Sequence, residues 1–272
     1  MFFYVMNLVI IAIAVLFGAG LTFFSGFGLG TIMLPVFSIF FDLPVAIGAT
    51  AIVHLANNIF KFFLVRKDID RFVYIRFGIP AMLSAAIGGW LLTHFSEFSP
   101  IHSYSIGNYD FVITYMNVII GGLMIFFAWF ELVPKFKDIT VEPKYLPAGG
   151  ILSGFFGGLS GHQGAFRSAF LSKSGLNKNQ FIGTSNAISL TIDFTRIPIY
   201  LGLITLSSGK KIDLYEALSD GKTLLLVGII FAFLGTYIGK KLVGKTTING
   251  VQKLVGVLLF IMGGLLIAGI IH

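Results

Sequence analysis

The sequence predicts an all-α polytopic membrane protein made of two inverted repeats, each a re-entrant, broken helix pair plus three transmembrane helices. Three observations carry this prediction. The 272 residues are 56% hydrophobic and only 11% charged, against about 25% charged in an average soluble domain. The apolar residues fall in long runs, and mean hydropathy is +0.91, as in helices that span lipid. The two halves also match each other at a fixed offset. A soluble enzyme and a disordered chain are excluded by this composition. A membrane β-barrel would alternate residue by residue, and no such alternation is present.

The run 3–24 leads into Ser25-Gly26-Phe27-Gly28-Leu29-Gly30, and the short apolar run 30–41 closes on Asp42-Leu43-Pro44. Together they read as a re-entrant pair. The alternative is a full crossing by 3–24 with its N-terminus inside. Met1 to Met6 lack the positive region of a signal peptide, so this run reads as part of the mature protein. Crossings at 45–65, 74–95 and 112–133 complete a first repeat, 1–134. The short runs 146–160 and 164–174 flank Gly161-His162-Gln163-Gly164. Crossings at 180–206, 222–240 and 247–271 complete a second repeat, 145–272. Short, glycine-broken segments at matching places in two halves point to a transporter's binding site.

Gly48 and Gly183 stand 135 positions apart. At that offset Ser25-Gly26 falls on Ser160-Gly161, Thr50 on Ser185, Asn58 on Asp193 and Lys61 on Arg196. The polar matches carry the repeat, because apolar sequence resembles itself by chance. Arg66, Lys67, Arg71 and Arg76 cluster after the first long crossing, whereas 96–111 has no Lys or Arg. The positive-inside rule therefore places 66–76, 134–145, 173–179 and 240–246 inside, and 96–111 and 207–221 outside. The repeats are then inverted, and both chain ends are expected outside.

Two half-helices starting at the glycine breaks would aim free N–H groups and positive dipole ends at a shared cavity. That makes an anion site, for which Ser25, Gly26, Gly28, Ser160, Gly161, His162 and Gln163 are candidates. Arg167 follows the second break. A cation is unfavourable at a helix N-terminus by up to about 1 kcal/mol and costs several more in lipid. A negative partner is expected, either a bound anion or Asp193. Asp193 and Arg196 lie three apart and can meet on one helix face as a structural pair. Asn57, Asn58, Asn186 and Arg196 are candidates for a second layer around the substrate. Ser185, Thr50 and His54 are further polar groups that could line it, and Lys61 reads as snorkelling towards the inner surface. His162 and Asp193 are the candidate proton-coupling groups.

Other chemistry finds no support. The chain has no Cys, and neither a metal motif nor a nucleophile–base spacing is present. No cofactor and no metal site are expected. The net charge of +7 sits in short loops, which suits topology and anionic headgroups rather than nucleic acid. The expected partners are a small anion and the lipid bilayer, with room for a homodimer.

At these residues the chain resembles the sulfite exporter TauE/SafE family of membrane permeases. The likeness rests on Ser25-Gly26-Phe27-Gly28-Leu29-Gly30 with Pro35, and on Pro44-Val45-Ala46-Ile47-Gly48-Ala49-Thr50. It recurs in Gly154-Phe155-Phe156-Gly157-Gly158-Leu159-Ser160-Gly161 and Gln180-Phe181-Ile182-Gly183-Thr184-Ser185. The resemblance implies transport of small sulfur-containing anions, such as sulfite or organosulfonates. The chain departs from the family's pattern at His162-Gln163-Gly164-Ala165 and Phe170, where the family usually has a glycine run and a proline. The resulting expectation is a secondary anion transporter of the plasma (inner) membrane working by alternating access. An anion channel or a non-transporting scaffold subunit on the same helices are the alternatives.

Overall fold

A computed structural model describes residues 2–25, 28–95, 98–107, 109–133, 142–172, 174–201, 221–242 and 248–271. Gly26, most of 134–145 and nearly all of 207–221 lie outside the described residues. The chain is an all-α polytopic membrane protein. Its first five helices are α1 (Phe2–Ser25), α2 (Leu29–Phe37), α3 (Leu43–Val65), α4 (Arg71–Phe95) and α5 (Tyr115–Leu132). The next five are α6 (Leu146–Ser160), α7 (Gly164–Leu171), α8 (Lys178–Tyr200), α9 (Lys222–Leu242) and α10 (Ile248–Ile267). Four of them, α1, α3, α4 and α9, are long and apolar enough to cross a membrane by length and composition.

Local chemistry sets the boundaries. Pro44 opens α3, where a missing N–H is harmless. Asn177 and Gln180 form a reciprocal capping box that starts α8. Thr114 caps α5 by accepting from the Asn117 N–H. Gly161 ends α6 at φ 80°, a left-handed conformation that glycine adopts without strain.

Several boundaries differ from the sequence expectation. A hairpin, β1 (His102–Ile106) paired antiparallel with β2 (Tyr109–Ile113), occupies the start of the predicted 112–133 crossing. Period-two patterning over five residues is too short to stand out beside an apolar run. The Tyr104 hydroxyl bonds the Ala268 carbonyl, so the hairpin is tied to the end of α10. The helix predicted at 180–206 ends at Tyr200. The run 3–24 forms a 24-residue helix, about 36 Å at 1.5 Å per residue. It is therefore full-length, and only α2 returns.

Close glycine contacts fix how the helices pack. A Cβ on Gly150, Gly154 or Gly158 would lie 2.3, 2.0 or 2.2 Å from the carbonyl oxygens of Phe77, Ala81 and Ala85. So α6 lies against α4, parallel to it, at a distance that only small residues permit. Gly235 and Gly239 meet Leu16 and Gly20 in the same way, so α1 and α9 are also parallel. Gly78 meets Ile188 and Gly89 meets Tyr200, which makes α4 parallel to α8. By contrast α3 and α8 are antiparallel, with His54 against Asp193, Asn58 against Asn186, and Val65 against Gly183. Gly121–Gly263 and Gly256–Leu132 contacts make α5 and α10 antiparallel too. Phe60–Phe233, Val53–Gly228 and Asn57–Thr236 contacts align α9 with α3.

These directions sort the connections onto two faces. The ends of α3, α5, α7 and α9 share one face, which carries Arg66, Lys67, Arg71, Lys144, Lys178, Lys240 and Lys241. We call it the basic face. The hairpin and the start of α1 lie on the other.

Candidate functional site

Where α3 crosses α8, the sequence places His54, Asn57, Asn58 and Lys61 on one helix and Ser185, Asn186, Ser189, Asp193 and Arg196 on the other. Such density of polar groups in an apolar bundle must be satisfied internally, because lipid offers no partner. Asp193 is the hub. Its Oδ2 accepts from His54 Nδ1 at 2.6 Å and from Asn58 Nδ2 at 2.9 Å. Its Oδ1 faces Arg196 Nη2 at 2.9 Å and Nε at 3.1 Å, with Gln163 Nε2 at 3.4 Å. Asp193 and Arg196 are both 0% exposed.

Arg196 also donates to the Gly157 carbonyl at 2.9 Å, and the Tyr200 hydroxyl donates to the Gly158 carbonyl. The guanidinium lies 5.8 Å from the centre of the Tyr200 ring. The pair is thus a strut from α8 to α6. Breaking one partner of such a buried pair leaves an uncompensated charge.

Beside the strut, on the side of the basic face, is a small polar cavity. Its wall comprises Thr22 and Phe23 of α1, Gly28 and Leu29 at the start of α2, and Phe181, Ile182, Ser185, Asn186 and Ser189 of α8. His54, Asn57, Asn58 and Lys61 of α3 and Arg167 of α7 complete it. The Arg167 guanidinium is buried and donates to Ser185 Oγ at 2.7 Å and to Gln163 Oε1 at 3.0 Å. Lys61 Nζ sits 4.8 Å from the centre of the Phe23 ring. The wall therefore holds two cations and several amide and hydroxyl groups, and no carboxylate among the described residues. The first turn of α2 adds the positive end of a helix dipole.

The structure separates the sequence candidates into two groups. Gly28, Asn57, Asn58, Arg167 and Asn186 meet at the cavity wall. Ser160, Gly161, His162, Gln163 and Arg196 stand outside it. His162 stacks on Phe127 with ring centres 5.3 Å apart, and its Nδ1 meets Ser160 Oγ at 3.0 Å. Gln163 links Arg167 to Asp193, and its carbonyl accepts from Ser153 Oγ at 2.8 Å. Ser25 ends α1, and its side chain, like Gly26, lies outside the described residues. Sequence reasoning passed over Thr22, Phe23, Phe181, Ile182 and Ser189, and read Lys61 as a surface-seeking chain. The match of Lys61 to Arg196 at the 135 offset is the signal that could have assigned it to the polar layer between α3 and α8. Among the described residues no group of three or more His, Cys, Asp or Glu stands together to hold a metal ion.

Fold and site together define a polytopic helical membrane protein with a charged cavity enclosed between broken and continuous helices. That class moves solutes across bilayers. The sequence comparison narrows the class: the chain belongs to the sulfite exporter TauE/SafE family, whose profile matches residues 10–266. Members of this family are membrane permeases rather than enzymes. Among curated proteins no match is found.

Proposed function

We propose that the protein is a secondary transporter of small sulfur-containing oxyanions, such as sulfite or organosulfonates, in the plasma (inner) membrane. The observation that carries this reading is the cavity wall, which combines Lys61 and Arg167 with amides and hydroxyls and, among the described residues, holds no carboxylate. Among the described residues the acid beside the wall is Asp193, which is already paired with Arg196 and bonded to His54. Two positive charges in a low-dielectric site favour an anionic occupant.

The halves act as inverted repeats in this reading. What supports it is helix direction: α1 opposes α6, α3 opposes α8, α4 opposes α9 and α5 opposes α10 in the contacts described above. The face rich in Lys and Arg is cytoplasmic by the positive-inside rule. The cavity then lies on the cytoplasmic side of the Asp193–Arg196 strut. Buried α3 residues such as Ala46, Ile47 and Ala49 fill the other side. A site occupied from one side at a time is the geometry of a carrier rather than of a channel.

The test is counterflow in proteoliposomes made from the purified full chain. Internal unlabelled sulfite should accelerate uptake of labelled sulfite, and the exchange should saturate. No exchange with sulfite, methanesulfonate or sulfate would overturn the anion reading. A non-saturating current would replace the carrier with a channel.

A further inference from the structure

His54 belongs to neither of the roles given so far. It bonds the strut on one side and faces the cavity on the other. Its Nδ1 lies 2.6 Å from Asp193 Oδ2, so Nδ1 carries a hydrogen and donates to the carboxylate. That fixes the tautomer, because a neutral ring with hydrogen on Nδ1 has a bare Nε2. The ring lines the cavity. A Cβ placed on Gly28 would stand 3.3 Å from Nε2, so this glycine leaves room at that edge. Asn58 Nδ2 lies 3.0 Å from Nδ1 and 3.5 Å from Nε2; it donates to Asp193 Oδ2 at 2.9 Å, and the shorter 2.6 Å approach of Nδ1 to the same carboxylate assigns the ring hydrogen to Nδ1.

The charged groups around the ring come from three helices. Asp193 and Arg196 face it from α8, Arg167 from α7, and Lys61 shares the cavity wall two turns along α3. The start of α2 contributes Gly28 and Gly30 and no charge, and α9 contributes Thr236, bonded to Asn57. In the empty cavity three cations oppose a charge on the ring, against one carboxylate that Arg196 already shares. A bound anion changes that balance.

Resting on the anion-transporter reading, we propose that His54 is a proton site linked to the anion site, taking a proton on Nε2 when an anion enters the cavity. The proton comes from the bulk solution, where the buffer acid gives it up, so no hydroxide is left beside the anion. The Nδ1–H stays bonded to Asp193, which holds the ring in place in both states. The loaded protein then carries an anion and a proton together. Linkage is reciprocal: if the anion brings a proton in, lowering the pH must tighten anion binding by the same coupling.

The experiment measures that coupling on the purified full chain by titration calorimetry. The probe is methanesulfonate, because sulfite itself titrates near neutral pH. Binding heats in buffers of different ionisation enthalpy give the protons taken up per anion. We expect uptake approaching one proton, and an affinity that rises up to tenfold per pH unit as pH falls across the range in which uptake is observed. His54→Gln keeps a donor for Asp193, and it should bind the probe with no proton uptake and no pH slope. His54→Asn serves the same purpose if the glutamine variant does not fold. Binding without proton uptake by the native chain overturns this proposal and leaves the anion reading standing. Equal uptake by native chain and variant also overturns it, since the proton then resides elsewhere. Failure of methanesulfonate, sulfite and sulfate to bind the native chain would instead remove the anion reading on which the proposal rests.

Discussion

Lys61 and Arg196 occupy matching positions in the two halves, 135 residues apart, on two helices that cross each other antiparallel. Three residues before each cation, Asn58 stands in the first half where Asp193 stands in the second. Arg196, with an acid three residues before it, is drawn into an ion pair, bonds the Gly157 carbonyl and is fully buried. Lys61, with an amide at that place, lies against Phe23 on the cavity wall. At this position the exchange of amide for carboxylate goes with a cation that holds helices together in one half and a cation that lines the cavity in the other. The physical reason is compensation: a buried cation is neutralised by whichever anion is nearest, and only one half supplies its own.

The strongest way to break this contrast is Asp193→Asn. It strands Arg196 in the bundle and should cost about 3–5 kcal/mol of stability, read as a lower detergent melting temperature. Adding Arg196→Gln should restore much of that loss. An unchanged melting temperature in the single variant would show that the strut does not hold the fold.

Arg167→Gln should act on the solute instead. It removes a charge-assisted bond worth about 1.5–3 kcal/mol, which is roughly a 10- to 150-fold loss of anion affinity. Melting should change little, since Ser185 and Gln163 are neutral partners. A variant that loses stability but keeps its affinity would move Arg167 into the structural group beside Arg196.

Gly158→Ala tests the seam that carries the strut. Its Cβ would meet the Ala85 carbonyl oxygen at 2.2 Å, so α6 must shift, at about 1–3 kcal/mol. Gly235→Ala, 2.2 Å from the Leu16 carbonyl oxygen, should behave alike if the two halves are built on one plan. Gly122→Ala meets nothing within 4 Å and should stay within about 0.5 kcal/mol of the native chain. Melting temperatures of the three variants decide the matter.

Lys61→Gln should have the smallest effect on affinity. Lys61 is partly accessible, and screening reduces such a charge to about 0.5–1 kcal/mol, or roughly two- to fivefold. Stability should not fall. A melting loss as large as that of Asp193→Asn would mean that Lys61 is a strut after all, and the contrast would disappear.

Much of this was legible in the sequence because it follows from composition and spacing. Long apolar runs dictate helices in lipid, since only a helix satisfies its own backbone there. The glycine breaks at 26–30 and 161–164 and the polar matches at one offset dictate two similar halves meeting at polar positions. The spacing of Asp193 and Arg196 allows their pairing on one face. Tertiary structure decided the rest. Lys61 could have run to the surface, and only the packing of Phe23 over it keeps it at the cavity. His162 and Gln163 sit at the break in sequence, yet Gly161 turns them away from the cavity, toward Phe127 and Asp193. His54 and Asp193 are 139 residues apart, and no local pattern could pair them. A sequence fixes which groups an apolar bundle must shelter, whereas the crossing of α3 with α8 determines which of them neutralise one another and which line the cavity.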